Sequence, residues 1–333
     1  MGPAKPDTPE FRILAVSGGG FLGLFAAGVL AQLEAEAGEP LGRRFDLIAG
    51  TSVGAVLAAA LACEVPMIDV VELFQRHGAA VFSPRALPEG PVSRLLDLSR
   101  SVLGPKYSGG ALRDALEEHL GPRTMADTLH ALVLPAVNVT RCVSKVFKSP
   151  HARGSRGDEQ VRLLDATLAS CAAPAYFPSV PIDGELYADG GLFAVAPDQV
   201  ALHEAQHFMG IEPEQVRMLS LGTATMGYQP SGGIDDDAGA VGWLSGGRLI
   251  LTLIAVQQQH VQAMMEDRLG ARYLRLDAEW PRDAGLGVDV ATEAATRTLT
   301  ELAERTVAET SAARLRPFLQ PRAGERGAAR AFT

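Results

Sequence analysis

The chain has 333 residues, of which 47% are hydrophobic and 21% are charged, and this composition excludes an intrinsically disordered protein. The net charge of −9 disfavours nucleic acid as a polymeric partner, because proteins that bind it carry clustered positive charge. The 35 glycines follow no collagen-like period and fall in short clusters, which are typical of loops in a globular protein.

Apolar periodicity predicts strands and helices in alternation along the first part of the chain. In chain order the predicted elements are a flexible tail at 1–10, a strand at 12–17, a glycine loop at 17–23, a helix at 21–37, a strand at 46–49, an alanine-rich helix ending at Cys63 and a helix from Pro66 to His77. Residues 83–110 contain four prolines and four glycines, which predict an irregular segment and a candidate lid.

The alternation continues along the rest of the chain. The predicted elements there are strands at 132–139 and 145–147, a helix at 163–173, a strand at 186–188 after an Asp-Gly turn, a helix at 196–208, a strand at 216–221, a mobile loop at 227–247, helices at 249–267 and 292–312 around a strand at 273–276, and a flexible tail at 321–333. This order predicts an α/β fold with a mainly parallel central sheet, in one domain over residues 11–320.

The segment Gly50-Thr51-Ser52-Val53-Gly54 lies between a predicted strand and a predicted helix. Gly-x-Ser-x-Gly in that context is typical of a nucleophile elbow, in which a sharp turn lifts the serine hydroxyl above the sheet. Gly50 and Gly54 avoid side chains that would clash with neighbouring backbone, and the N-terminus of the helix favours developing negative charge. In a glycine-rich chain the same pattern also occurs as a plain turn with an incidental serine.

A second glycine loop runs from Ser17 to Gly23 and also connects a strand to a helix. Successive backbone N–H groups at Gly18, Gly19 and Gly20 would form an anion-binding nest, which in an acyl-transfer enzyme is an oxyanion hole. The loop also fits the Gly-x-Gly-x-x-Gly fingerprint of dinucleotide-binding enzymes. That alternative expects an acidic residue at the end of the second strand, whereas here the second strand leads directly into the serine elbow.

Asp189 lies in the segment Ala188-Asp189-Gly190-Gly191, at the end of a predicted strand. Asp-Gly is a common turn dipeptide, but a nucleophilic serine also needs a base that removes its proton. None of the seven histidines lies in an obvious catalytic turn. Asp189 is therefore the candidate base for Ser52, with Gly190 and Gly191 supporting its turn.

These three motifs, in this order between residues 17 and 191, resemble the patatin-like phospholipases. The resemblance implies a three-layer α/β/α fold and a Ser–Asp catalytic dyad without a metal or other cofactor. Carried over to this chain, it implies Ser52 as the nucleophile and Asp189 as the base. It further implies an oxyanion hole at three glycines of the first loop, namely Gly18, Gly19 and Gly20.

Further segments resemble one bacterial subgroup of that family, the CapV-type phospholipase effectors of cyclic-oligonucleotide antiphage signalling. These segments are Phe147–His151, Ala169–Pro178, Leu221–Thr225, Gln257–Gln259 and Asp289–Thr298. The subgroup resemblance implies activation by a cyclic dinucleotide, typically a cyclic GMP–AMP, followed by degradation of the host's own membrane phospholipids. It also makes homo-oligomerisation on activation an expectation, and it assigns no residues to nucleotide binding.

The segment His203-Glu204-Ala205-Gln206-His207 matches the His-Glu-x-x-His zinc motif on a predicted helix. A zinc site needs a third protein ligand, but Gly210 ends the helix within a turn and no histidine follows at metzincin spacing. We therefore expect two surface or half-buried histidines and no metal.

The three cysteines, Cys63, Cys142 and Cys171, cannot all pair, and none lies in a Cys-x-x-Cys motif, as expected in a reducing compartment. The N-terminal residues lack the apolar run of a signal peptide. These features predict a cytoplasmic protein, which would act at the inner face of the cell membrane.

Three classes of function remain open at this stage. The first is a hydrolase of membrane phospholipids, controlled by a cyclic dinucleotide or else constitutive, like a simple bacterial patatin-like lipase. The second is a dinucleotide-dependent oxidoreductase, and the third is a non-catalytic sensor of cyclic dinucleotides. The expected partners are a membrane phospholipid as substrate and a cyclic dinucleotide as activator.

Overall fold

The computed structural model describes residues 10–85, 104–152, 157–230, 237, 239–244, 247–281 and 284–321. The strands are β1 (Phe11–Val16), β2 (Leu47–Gly50), β3 (Leu132–Asn138), β4 (Val143–Lys148), β5 (Val180–Ile182), β6 (Glu185–Asp189), β7 (Val216–Leu221) and β8 (Tyr273–Leu276). The helices are α1 (Gly23–Ala37), α2 (Val53–Ala62), α3 (Met67–Val81), α4 (Gly110–Leu120), α5 (Leu163–Cys171), α6 (Gly191–Ala194), α7 (Asp198–His203), α8 (Ala240–Leu244), α9 (Arg248–Leu269), α10 (Glu293–Glu309) and α11 (Ala312–Leu319).

These strands form a single sheet in the order β5-β6-β3-β2-β1-β7-β8, and β4 pairs with β3 off this path. The neighbours from β3 through β2, β1 and β7 to β8 are parallel. The pairs β3–β4, β3–β6 and β5–β6 are antiparallel. The prediction of a mainly parallel central sheet is therefore confirmed.

The central strand β1 is buried on both faces, and its side chains alternate between two apolar layers. Phe11, Ile13 and Ala15 pack with α7 and the C-terminal part of α9 on one face. Leu14 and Val16 pack with the other layer, to which α1, α2, α3 and α10 contribute. Successive side chains of a strand point to opposite faces, so a continuous apolar run requires helices on both sides. The result is the expected three-layer α/β/α arrangement.

The segment Gly20–Ala37 has the length and apolar composition of a membrane span, yet 56% of it is buried inside the protein. It consists of a short 3₁₀ turn followed by α1. Helix α1 packs against α3 and α10. Its composition is thus accounted for by its place in the core.

Several elements differ from the sequence-based prediction. Helix α4 follows Gly109, whose φ of 79° lets the chain turn into a helix at what the sequence predicts as the end of a loop. Helix α11 contains Pro317, which is a helix breaker in sequence-based reasoning. The helix predicted at 196–208 is divided into α7 and a π-helical turn, Glu204–Phe208.

Some predicted segments cannot be compared with the structure. Residues 86–103 of the candidate lid lie outside the described residues, as do 231–236, 238 and 245–246 of the loop predicted as mobile. The same holds for 1–9 and 322–333 of the two predicted tails. Helix α8, which the prediction lacks, lies within the described part of the glycine-rich 227–247 segment.

Candidate active site

Ser52 sits in a tight turn between β2 and α2, with φ 55° and ψ −127°, a conformation that L-residues rarely adopt. Two glycines make this turn sterically feasible. A Cβ on Gly54 would lie 2.2 Å from the carbonyl oxygen of Val16, and a Cβ on Gly50 would lie 2.0 Å from the carbonyl oxygen of Gly54. The backbone therefore has the geometry that the Gly-x-Ser-x-Gly pattern predicts, with Ser52 at the N-terminus of α2.

Strands β2 and β6 share one edge of β3, and this arrangement brings Ser52 and Asp189 together. β2 pairs only with the first two residues of β3 before the chain leaves the sheet at the serine turn. β6 runs antiparallel to β3 along the same edge, and Asp189 at its end stands opposite Ala136. The two strands therefore end facing each other, which places the carboxylate beside the turn.

The carboxylate of Asp189 is buried and accepts a hydrogen bond from the backbone amide of Gly191 at 2.6 Å. The hydroxyl of Ser52 lies beside the same carboxylate and lowers its pKa. Burial raises the pKa of Asp189 from its ordinary value of 3.8 to about 6, while the Ser52 hydroxyl and the Gly191 amide each lower it. A carboxylate with that pKa is mostly ionised at neutral pH and can accept a proton from the hydroxyl that it contacts.

Helix α5 holds the backbone of the serine turn. The amide of Ser52 donates to the hydroxyl of Ser170 at 3.1 Å, and that hydroxyl donates to the carbonyl of Pro135 at 2.6 Å. The thiol of Cys171 donates to the carbonyl of Ser52 at 3.0 Å. Burial raises the pKa of Cys171 well above its ordinary value, so this thiol stays protonated and serves as a donor.

The glycine loop supplies backbone amides to the same site, but they differ in availability. The amide of Gly18 donates to the carbonyl of Val195 at 2.8 Å. Among the described residues, no acceptor binds the amides of Gly19 or Gly20, and both residues line the cavity next to Ser52. Two of the three predicted oxyanion donors are therefore available in this structure, and Gly18 is engaged in holding the loop.

A buried polar network supports the glycine loop from below. Gln258 of α9 donates to the hydroxyl of Thr223 at 3.0 Å and to the carbonyl of Gly18 at 3.4 Å. Arg275 of β8 donates to the side-chain oxygen of Gln258 and to the carboxylate of Asp277, the latter at 3.0 Å. The guanidinium is nearly fully buried, so the energetic cost of burying its positive charge must be offset by these partners. The network thus fixes Gln258 and, through it, the loop.

An apolar cavity of about 200 Å³ opens beside Ser52 and Asp189. Its wall is formed mainly by side chains of α2, α3, α9 and the segment after α5, among them Val56, Leu73, Phe74, Val81, Phe82, Tyr176, Phe177, Ile250, Leu253 and Ile254. His77 also lies in this wall, but no hydrogen bond between described residues joins it to Ser52 or Asp189. The cavity therefore offers an apolar compartment next to a polar reacting centre.

The remaining glycines of the motifs stand close to the same centre. A Cβ on Gly23 would lie 2.5 Å from the side chain of Val53, and a Cβ on Gly190 would lie 2.3 Å from the carbonyl oxygen of Pro135. Gly191 provides the amide that binds Asp189. The three motifs therefore meet at one point of the fold.

The zinc-like motif lies elsewhere and has other contacts. Glu204 is buried and pairs with Lys148, and it also contacts the Nε2 atom of His151 at 3.2 Å. The rings of His203 and His207 stack with their centroids 5.2 Å apart. The glutamate of the motif therefore joins the start of the π-helical turn to the end of β4, a role that the motif itself does not indicate.

Residues 14–202 match the patatin-like phospholipase family. This match contains all three motifs and covers more than half of the chain. The chain belongs to the patatin-like phospholipases. The expectations of a patatin-like fold and of a lipid acyl hydrolase are thereby confirmed.

The similarity of this patatin-like phospholipase to individual relatives extends beyond residues 14–202. A protein of Pseudomonas aeruginosa named cGAMP-activated phospholipase is 37% identical over 270 residues, which are 81% of this chain and 78% of the relative. A protein of Vibrio cholerae with the same name is 32% identical over 331 residues, covering 90% of this chain and 92% of the relative. Among solved structures, VipD from Legionella pneumophila is similar over 90% of this chain and 67% of VipD, with 13% identity and a TM-score of 0.42.

Sequence reasoning did not assign a role to Ser170, Gln258 or Arg275. Ser170 and Gln258 lie in segments that resemble the bacterial subgroup, so the sequence marked their neighbourhood but not their function. Arg275 lies in a short predicted strand, and nothing in the local pattern distinguishes it from an exposed arginine. Only the long-range contacts of these three side chains show what they hold.

Proposed function

We propose that this patatin-like phospholipase hydrolyses acyl esters of membrane phospholipids with Ser52 as the nucleophile and Asp189 as the general base. The observation that carries the proposal is the position of the Ser52 hydroxyl beside the buried carboxylate of Asp189, where it lowers the pKa of that group. Because the pKa of Asp189 is about 6, the base is largely ionised at neutral pH and becomes a useful acid once protonated.

In the proposed first step, the oxygen of Ser52 attacks the ester carbonyl carbon while its proton passes to Asp189. The amides of Gly19 and Gly20 donate to the oxyanion of the tetrahedral intermediate, and the N-terminus of α2 adds a favourable field. The C–O bond to the glycerol oxygen then breaks, and the protonated Asp189 returns the proton to that leaving oxygen. The products of this half-reaction are a lysophospholipid and an acyl ester on Ser52.

In the proposed second step, Asp189 takes a proton from a water molecule that attacks the acyl ester. The same amides hold the second oxyanion, and the free fatty acid leaves as the proton returns to the oxygen of Ser52. The apolar cavity supports this assignment because its wall suits the hydrocarbon of an acyl chain. These steps use no metal and no cofactor.

We further propose that a cyclic dinucleotide of the cyclic GMP–AMP type activates the enzyme, which then degrades membrane phospholipids in antiphage defence. The support is the agreement between two bacterial relatives that cover most of this chain and share the name cGAMP-activated phospholipase. The proposed place of action is the inner face of the cell membrane, reached from the cytoplasm.

The test is fatty-acid release from phospholipid vesicles with and without cyclic GMP–AMP. Ser52→Ala and Asp189→Asn are each expected to lower the activated rate by a factor of about 10³ or more. Ser144→Ala removes an exposed hydroxyl on β4 and serves as the matched control, with an unchanged rate expected. Circular dichroism of each variant establishes that the fold is intact.

Other results would favour another of the functions considered. Equal rates with and without any cyclic dinucleotide would leave a constitutive patatin-like lipase. Nucleotide binding without fatty-acid release would indicate a sensor. Binding of NAD(P) that is lost when Gly20 or Gly23 is substituted would indicate an oxidoreductase.

A further inference from the structure

Two helices that line the cavity also expose four apolar side chains, and we call these four the rim. They are Leu192 and Phe193 of α6 and Leu253 and Val256 of α9. Leu192 and Leu253 also line the cavity, so the rim is continuous with its apolar wall. Exposed apolar side chains that form a contiguous patch are typical of an interaction surface, whereas scattered ones need no explanation.

One glutamine fixes the two halves of the rim relative to each other. The side chain of Gln257 donates to the carbonyl of Gly191 at 3.2 Å and accepts from the amide of Val195 at 3.1 Å. These two backbone groups flank Leu192 and Phe193, and Gln257 lies one turn from Leu253 on α9. The rim is therefore part of a braced structure rather than a loose loop.

The chain around the rim carries no formal charge. Residues 249–265, which form most of α9, contain no Asp, Glu, Lys or Arg, and neither does the segment 190–197. The short helix α8 packs against α9 and exposes Trp243 and Leu244. Tryptophan and leucine are side chains that favour the boundary between lipid and water.

We infer that the rim inserts into the surface of a lipid bilayer, an assignment that rests on the proposed phospholipase function. The reason is the continuity between the rim and the cavity. A phospholipid that leaves a bilayer through an apolar mouth set into the membrane keeps its acyl chain out of water. A second copy of this chain seated on the same rim would instead cover the entrance to Ser52.

The driving force expected at this surface is apolar rather than electrostatic. With a net charge of −9, the protein as a whole is not attracted to anionic lipid. Binding is therefore expected to zwitterionic phosphatidylcholine vesicles and to persist at about 0.5 M salt, where surface charges are screened. This salt dependence separates the rim from a basic, charge-driven membrane site.

The experiment compares two pairs of substitutions in the full chain. Phe193→Ser with Val256→Ser changes two rim residues that are 41% and 56% exposed and do not line the cavity. Ile68→Ser with Leu129→Ser changes two side chains that are 57% and 61% exposed. This control pair lies near the start of β3, where α2 ends and α3 begins, whereas Ser52 lies at the opposite end of α2.

Vesicle binding is measured by co-sedimentation with phosphatidylcholine vesicles, with and without cyclic GMP–AMP. The rim variant is expected to bind at least about tenfold more weakly than the wild type, since each buried apolar side chain contributes about that factor. Hydrolysis of vesicle lipid is expected to fall with it, while hydrolysis of a monomeric short-chain ester such as p-nitrophenyl butyrate stays at the wild-type rate. The control pair is expected to match the wild type in all three measurements.

A second readout covers the case in which the rim variant does not fold. Trp280→Phe leaves Trp243 as the sole tryptophan, because the chain has two. Its fluorescence is expected to shift to shorter wavelength when vesicles are added. Equal vesicle binding by the rim variant and the wild type, or an unchanged Trp243 spectrum, would overturn the inference. So would loss of self-association by the rim variant with vesicle binding intact, which would indicate a second copy as the occupant.

Failure of the phospholipase function would look different. In that case the wild type would release no fatty acid from either substrate. Vesicle binding by the Ser52→Ala protein would still report on the rim, because it requires no turnover.

Discussion

The hydroxyl of Ser170 accepts a hydrogen bond from the backbone amide of Ser52 at 3.1 Å and donates one to the carbonyl of Pro135 at 2.6 Å. One side chain on α5 thereby connects the serine turn to β3, the strand that pairs with β6 and so positions Asp189. The Ser52 backbone has a positive φ, which costs of order 1–3 kcal/mol and persists only where neighbouring structure compensates for it. Ser170 is part of that compensation.

Replacing Ser170 with Ala is expected to lower both the free energy of unfolding and the catalytic rate. The loss leaves the amide of Ser52 and the carbonyl of Pro135 without a partner in a buried site, at a cost of about 1–3 kcal/mol. A shift of the turn would also move the nucleophile, and we expect kcat to fall about tenfold or more. Denaturant unfolding and fatty-acid release measure the two effects.

Thr167→Val is the matched control for Ser170. It removes a buried hydroxyl from the same helix, one that binds only the carbonyl of Leu163 within α5. A similar loss of stability with an unchanged kcat is expected. If both variants lowered kcat equally, general loosening of α5 would explain the effect and the specific role of Ser170 would be wrong.

The pH dependence of catalysis is expected to follow Asp189. Since burial raises its pKa to about 6, the carboxylate is protonated below that pH and no longer accepts a proton from Ser52. The value of kcat/KM is expected to be level above about pH 7 and to fall about tenfold for each pH unit below 6. A profile that stays level down to pH 4 would contradict this role for Asp189.

The same pKa predicts a pH-dependent effect of Asp189→Asn on stability. The folded protein holds the proton of Asp189 more tightly than the unfolded chain does, because the pKa of this group is about 6 in the folded protein and near 3.8 in the unfolded chain. The contribution of Asp189 to the free energy of unfolding is therefore complete below pH 4 and is lost as the pH rises through 6. At pH 8 the variant is therefore expected to gain up to about 3 kcal/mol relative to the wild type, compared with pH 4. Thermal unfolding at both pH values measures the difference.

A glycine substitution in the serine turn, compared with one at an open position, tests how tightly this turn packs. In Gly54→Ala the new Cβ would lie 2.2 Å from the carbonyl oxygen of Val16, so the turn must move away from β1. A loss of about 3 kcal/mol or more and a loss of activity are expected. Gly104→Ala places its Cβ where no atom lies within 4 Å, and a change within about 0.5 kcal/mol is expected. Equal losses of stability in the two variants would show that the backbone preference of glycine, and not the contact with Val16, explains the effect of Gly54→Ala.

His77 distinguishes a dyad from a triad. It lies in the cavity wall and is the histidine that a Ser–His–Asp mechanism would have to use among those near Ser52. Because His77 has no hydrogen bond to Ser52 or Asp189, His77→Gln is expected to change kcat by less than about tenfold, mainly through altered packing of the substrate. A loss as large as that of Asp189→Asn would make His77 the base and overturn the proposed dyad.

The sequence by itself determined the alternation of strands and helices, the serine turn and the glycine loop, but not the short helices α4, α8 and α11. Each of these follows from short-range physics: strand and helix periodicity, and the backbone conformations or close approaches that only glycine permits at Gly54 and Gly20. The Asp183-Gly184 turn was predictable for the same reason, and both residues have the positive φ that it requires. Local patterns therefore located Ser52 and Asp189 as candidates.

Only the tertiary structure decided how these candidates are arranged. That β2 and β6 share one edge of β3 follows from strand pairing between distant segments, and this pairing places Asp189 beside Ser52. The carbonyl of Val195, far along the chain from the glycine loop, determines that the amide of Gly18 is engaged while those of Gly19 and Gly20 are available. The pKa of Asp189 likewise depends on burial by the whole fold. Such long-range contacts leave no periodic trace in the sequence, because each depends on residues brought together only when the sheet is complete.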